Sequence, residues 1–311
     1  MAAQTAPCQI PAAGAAEATL PPTSIGESTP TPAVGAAIIQ VEGEEDAVAT
    51  PVSSPAATPV APAPDPVALL TGELTAVAEA LAACLSAGDA EMVTQLAGER
   101  YLGQLFGGSV PLPKEEYIAI AQQLTPIPTR IVAVDDVAQA ADDQATALVS
   151  HVVGNQLMRA EWTFEHAPGD ERGDDQTPWQ LAGERQLPAA APPDADPIGV
   201  EIGDRSFSLS KTAVASPDLI LRGINVSSED HEMLVLRFAP GYTTADLLRA
   251  TGPDLPPEVT FIGELPIPAG EQGDLVLVDL EPGEYTLVCL FTDEQGTPHL
   301  AQGMEAAFTV G

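Results

Sequence analysis

Residues 283–310 read GEYTLVCLFTDEQGTPHLAQGMEAAFTV. GEYTLVCLF is rich in β-branched, aromatic and apolar residues and reads as a strand, and EAAFTV reads as another. Between them FTDEQGTP is acidic and turn-like, with Gly296 and Pro298. Cys289 stands near the end of the first strand, His299 follows the turn, and Met304 directly precedes the last strand. Working outward, VEIGDRSFSLS (200–210), DLILRGINVS (218–227), HEMLVLRF (231–238), EVTFIGEL (258–265) and GDLVLVDL (273–280) have the same character. Seven short strands at these intervals predict a β-sandwich over 198–311. TTADLLRA (243–250) reads as a short inserted helix with Thr244 as its cap.

His231 opens one of those strands. With Cys289, His299 and Met304 it brings two imidazoles, a thiol and a thioether into one segment of a chain with only four His, three Cys and five Met. That donor set suits copper. INVSSEDHEMLVLRF, LVLVDLEPGEYTLVC and HLAQGMEAAFTV together resemble the cupredoxins. The resemblance implies an all-β Greek-key sandwich in which His231 and His299 donate imidazole nitrogen, Cys289 a thiolate and Met304 a weak axial sulfur. It also implies that copper cycles by one electron against a redox partner protein, and that Asn225 braces the loop around Cys289 by hydrogen bonds. One departure stands out. Nine residues separate Cys289 from His299, more than mononuclear sites of this family usually carry. A longer loop is expected to hold His299 less firmly. The competing reading makes Cys289 and Met304 ordinary core residues and His231 a turn residue satisfied by hydrogen bonding, in a metal-free structural or small-ligand-binding protein with no redox activity.

Upstream, the pattern differs. PVALLTGELTAVAEALAACLSAGDAEMVTQLA (66–97) places Leu70, Leu74, Val77, Leu81 and Leu85 at helical spacing, broken by Gly88-Asp89. KEEYIAIAQQL (114–124) is a further helix, opened by Pro113 and stopped by Pro126. RIVAVDDVAQ, QATALVSHVVG, QLMRAEWTFEH and PWQLAGERQL then read as strands. Helices followed by long strands over 65–188 resemble the nuclear transport factor 2-like, or polyketide-cyclase-like, superfamily. That likeness implies an α+β cone, a curved antiparallel sheet with helices. Tyr101, Tyr117, His151, Trp162 and Trp179 are its candidate pocket residues. His151 and Glu161 could form an acid/base pair, but no spacing singles them out, and no phosphate-binding loop, dinucleotide fingerprint or nucleophile elbow occurs. The expectation is binding without catalysis, either of a small apolar ligand or of a second copy as a homodimer.

Residues 1–64 are rich in Pro, Ala, Thr, Ser and Glu, and such a stretch buries too little apolar surface to offset its ordering entropy. It reads as a disordered stalk, and AAAPPDADP (189–197) as a linker. The net charge is −34, with only two Lys. Such a chain is unsuited to nucleic acid or to anionic lipid. No apolar run suggests a membrane span, and no signal peptide is visible. A stalk ahead of β-rich domains nevertheless suggests an exported bacterial protein, extracellular or on the cell surface, with a cytoplasmic location as the alternative. The odd cysteine count suggests no disulfide framework. Cys84 reads as a small apolar core residue, and Cys8 lies in the stalk.

Overall fold

A computed structural model describes residues 8, 9, 11, 65–167, 178–252 and 254–311. The stalk expectation therefore lies, apart from Cys8, Gln9 and Pro11, outside the described residues. Helix α1 (Pro66–Ala87) starts where the Asp65 carboxylate accepts the Val67 N–H at 3.0 Å, and Pro66 takes a position that needs no backbone donor. Three short helices follow: α2 (Ala90–Leu96), α3 (Glu99–Gln104) and α4 (Lys114–Ala121). An antiparallel meander comes next, β1 (Thr129–Ala141), β2 (Gln144–Val153), β3 (Gln156–His166) and β4 (Trp179–Leu187). The alternation expected for these strands puts Ala145, Ala147, Val149, Ala160, Trp162, Phe164 and Leu181 on one face. There they share a core with Leu74, Leu81, Val93, Leu96 and Leu102 of the helices. Helix α1 is long and apolar enough to cross a membrane, but Leu74, Val77, Ala78, Leu81 and Cys84 are spent in this core, which accounts for its apolar character.

Cysteine behaves differently from the expectation. Cys84 is buried, but it is also bonded to Cys8, with their Cα atoms 4.7 Å apart and 76 residues of sequence separation. An odd count and a partner inside low-complexity sequence left no pattern from which this bridge could be read.

The remainder comprises β5 (Asp196–Gly203), β6 (Ser206–Leu209), β7 (Ala213–Val214), β8 (Leu219–Asn225), β9 (His231–Phe238), α5 (Thr244–Leu247), β10 (Val259–Ile267), β11 (Gln272–Leu277), β12 (Gly283–Val288) and β13 (Glu305–Val310). Asp204-Arg205 splits the strand expected at 200–210 into the β5–β6 hairpin. Thr243, not Thr244, caps α5, in a reciprocal arrangement with the Asp246 carboxylate. Strands β10-β9-β12-β13-β7 form one sheet. Strands β11-β8-β5-β6 form the other, with β5 and β8 parallel, as are β7 and β13; the remaining pairs are antiparallel. Ile198, Leu219, Leu221, Leu275 and Leu277 from one sheet share a core with Met233, Val235, Tyr285, Leu287 and Phe308 from the other, so the two sheets form a sandwich.

The sandwich is not a detached unit. Strand β11 is also hydrogen-bonded to β3, which makes the β11-β8-β5-β6 sheet continuous with the meander. The β2–β3 turn enters this junction. Asn155 donates its N–H to Ile262 O at 2.9 Å and accepts the Val278 N–H at 2.8 Å. Gly154 has φ of +63°, and a Cβ there would lie 3.0 Å from Ile262 O, so both conformation and space call for glycine.

Candidate metal centre

The sequence places the four sulfur and imidazole residues at one end of the sandwich. His231 is the first residue of β9, and Cys289 follows the last residue of β12. His299 opens a 3-10 turn (His299–Gln302), and Met304 stands between that turn and β13. All four are at most 1% exposed. Cys289 Sγ lies 3.7 Å from Nδ1 of His231 and 3.5 Å from Nδ1 of His299, and the two Nδ1 atoms are 3.0 Å apart. A triangle with these sides has a circumscribed radius of about 2.0 Å, close to ordinary metal–imidazole and metal–thiolate bond lengths of about 2.0–2.3 Å. A cation in the plane of the three donors would therefore be at bonding distance from each. Both Nε2 atoms are buried without a hydrogen-bond partner. Met304 belongs to the same buried cluster as Cys289, where a soft thioether suits copper. The residues present thus fit the group implied by the donor set.

Burial depresses the pKa of both imidazoles, most through lost hydration, and raises that of the Cys289 thiol for the same reason. The uncharged imidazoles are then ready to donate, while the thiol needs a cation to become thiolate.

The long loop does not leave His299 loose. His299 N–H donates to Phe291 O at 2.8 Å, Thr292 pairs with Pro298, and Asp293 N–H donates to Thr297 O at 3.0 Å. The Asp293 carboxylate also accepts from the Gln295 and Thr297 N–H groups, each at 2.9 Å. The segment is a hairpin closed at its base. Leu300 N–H then donates to Cys289 O at 2.8 Å, Met304 N–H to His299 O at 3.1 Å, and Cys289 N–H to Met304 O at 3.4 Å. Three candidate ligands are thereby tied to one another through the backbone.

Asn225 does not do what was expected of it. Its side-chain N–H groups go to Glu229 O at 2.8 Å and Ile267 O at 2.9 Å, and its oxygen accepts from Ser227. From the end of β8 it organises the loop leading into His231. The residue that braces Cys289 is Glu232, whose buried carboxylate accepts the Leu290 N–H at 2.7 Å. Burial pushes the Glu232 carboxyl up to about 7. Sequence reasoning missed it, although a Glu at the head of an otherwise apolar strand was a visible signal.

In the helical half, Tyr101, Tyr117, His151, Trp162 and Trp179 are buried in or against the core. An open polar cleft of about 610 Å³ is lined instead by Arg100, Gln144, Glu161, Thr163, Glu165 and Arg185 among others, and by none of those five. His151 packs against Trp162 with ring centres 5.4 Å apart, whereas Glu161 pairs with Arg185 at 3.1 Å. Successive strand residues point to opposite faces, so the structure does not join His151 and Glu161 as an acid/base pair.

No protein-family model matches the chain, and no curated protein does. Among solved structures it is similar to a dithionite-reduced auracyanin from Roseiflexus castenholzii, with 20% identity over 38% of this chain and 98% of that one, at a TM-score of 0.28. It is similar to auracyanin B, with 16% identity over 40% of this chain and 93% of that one, also at 0.28. A multicopper oxidase from Campylobacter jejuni gives 10% identity over 53% of this chain and 43% of that one, at 0.24. The case for a metal rests on the donor geometry.

Proposed function

We propose that this chain is an exported copper protein whose cupredoxin-like sandwich transfers single electrons. The observation that carries the proposal is the buried His231–Cys289–His299 triangle, sized for a cation, with Met304 beside it. Bound copper would supply a one-electron couple. The chain's own residues do the rest: the backbone ties among Cys289, His299 and Met304 fix the donors, and Glu232 fixes the turn after Cys289. Donors held in place by packed strands reorganise little, which favours fast electron transfer. The Cys8–Cys84 bridge supports an oxidising compartment. For the helical half the proposal is association without catalysis, and a concentration-dependent mass in solution would reveal a homodimer.

The test is addition of Cu(II) to the purified full-length protein. Tight stoichiometric uptake with an intense visible thiolate-to-copper band, abolished by Cys289→Ser, is expected. A colourless protein without tight copper refutes the electron-carrier reading and leaves the metal-free one.

A further inference from the structure

Four segments at the site end of the sandwich carry a relay of contacts over His299. Asp293 Oδ2 accepts from Gln302 Nε2 at 2.7 Å, Gln302 Oε1 accepts from Arg205 Nε at 2.6 Å, and Arg205 Nη1 donates to Glu229 Oε2 at 2.6 Å. The same Glu229 oxygen stands 3.5 Å from Nε2 of His299. Arg205 comes from the β5–β6 turn, Glu229 from the β8–β9 loop, Asp293 from the hairpin after Cys289, and Gln302 from the turn that His299 opens. A separation of 3.5 Å is longer than a formed hydrogen bond, but it leaves a negative oxygen beside a buried nitrogen that has no other polar partner.

The consequence concerns where the imidazole proton sits. A neutral imidazole carries one N–H, on Nδ1 or on Nε2. Nδ1 of His299 is the atom that faces Cys289 and His231, so donation to a cation requires the proton on Nε2. A carboxylate on the Nε2 side favours that tautomer, and the bond that the other nitrogen makes is what commonly sets it.

We infer that Glu229, held by Arg205, is a positioning residue for His299: it keeps the proton on Nε2 and leaves Nδ1 bare toward Cys289 and His231. The inference draws its purpose from the copper reading above, but its geometry is independent of any metal. It also gives the nine-residue hairpin a role, since Asp293 anchors the relay that ends at Glu229.

The experiment uses full-length protein carrying 15N-labelled histidine, metal-free and at a fixed pH where the ring is neutral. The wild type is expected to show His299 protonated on Nε2, and Glu229→Gln is expected to shift it toward Nδ1–H. Glu229 is 46% exposed, so Glu229→Gln should fold, and an unchanged unfolding midpoint verifies this. With copper added, Glu229→Gln should weaken Cu(II) binding roughly 10–100-fold, and Cu(I) binding less, because a carboxylate drawing on Nε2–H makes the ring a stronger donor to the higher charge. An unchanged tautomer overturns the inference, as does unchanged Cu(II) affinity in a protein that binds copper. If the wild type takes up no copper, the copper reading alone fails and the tautomer still decides.

Discussion

Replacing His151 with Phe should remove most of the acid sensitivity of the helical half. His151 is 5% exposed on β2, its Nδ1 has no hydrogen-bond partner, and its ring lies against Trp162. Burial lowers its pKa from 6.5 to about 4. The unfolded chain therefore binds a proton between these two values that the folded protein refuses. Stability is lost as pH falls through that window and is fully present above it. A shift of this size at about 1.36 kcal/mol per unit corresponds to about 3 kcal/mol between pH 7 and pH 4. Phe keeps an aromatic ring beside Trp162 and cannot take a proton. Both tryptophans of the chain, Trp162 and Trp179, lie in this half, so urea unfolding followed by tryptophan fluorescence reports its loss of structure. The difference in stability between His151→Phe and the wild type should move in the variant's favour by about 3 kcal/mol from pH 7 to pH 4. Parallel pH profiles for the two proteins would refute the reasoning.

Substitutions at three other residues probe packing and cross-links. Glu232→Ala leaves the Leu290 N–H without its acceptor and should cost about 1–3 kcal/mol in denaturant unfolding, with a weakened Cys289–copper band in the same protein. Met304→Ala opens a cavity in the sandwich core and should cost about 2–5 kcal/mol, whereas Met304→Leu should cost much less while still changing the visible spectrum. Cys8→Ser opens a 76-residue loop and should lower stability by up to about 4.5 kcal/mol, and a reducing agent should then have no further effect on the fluorescence midpoint.

Local signals in the sequence carried the strands and the candidate donor set. HEMLVLRF became β9 with its bounds unchanged, and the rarity of His and Cys made His231, Cys289 and His299 conspicuous before their proximity was visible. Long-range pairings left no such trace. Glu232 meets Leu290 across 58 residues, Gln156 meets Leu277 across the linker, and Cys8 reaches Cys84 from a compositionally featureless stretch. Hydrophobic periodicity says which face of an element is buried but not which distant element covers it. The same limit explains the pocket residues: Tyr101, Trp162 and Trp179 were recognisable as inward-facing aromatics, and whether they enclosed space or filled it depended on helices packed from elsewhere in the chain.

The hydrogen-bonded seam between β3 and β11 bears on how the protein can be dissected. Strand β11 is flanked by β8 on one side and meets the meander on the other, with Asn155 giving its side-chain N–H to Val278 O at 2.9 Å. A fragment beginning at the linker would strip that cover from the backbone of Leu277 and Val278, which now meets Gln156 and Asn155, and from Val276 and Val278, whose side chains are now buried with Val152. An open edge of this kind pairs readily with another copy of itself. Such a fragment is expected to self-associate through β11, so the full-length chain is the form on which metal uptake reads the monomer.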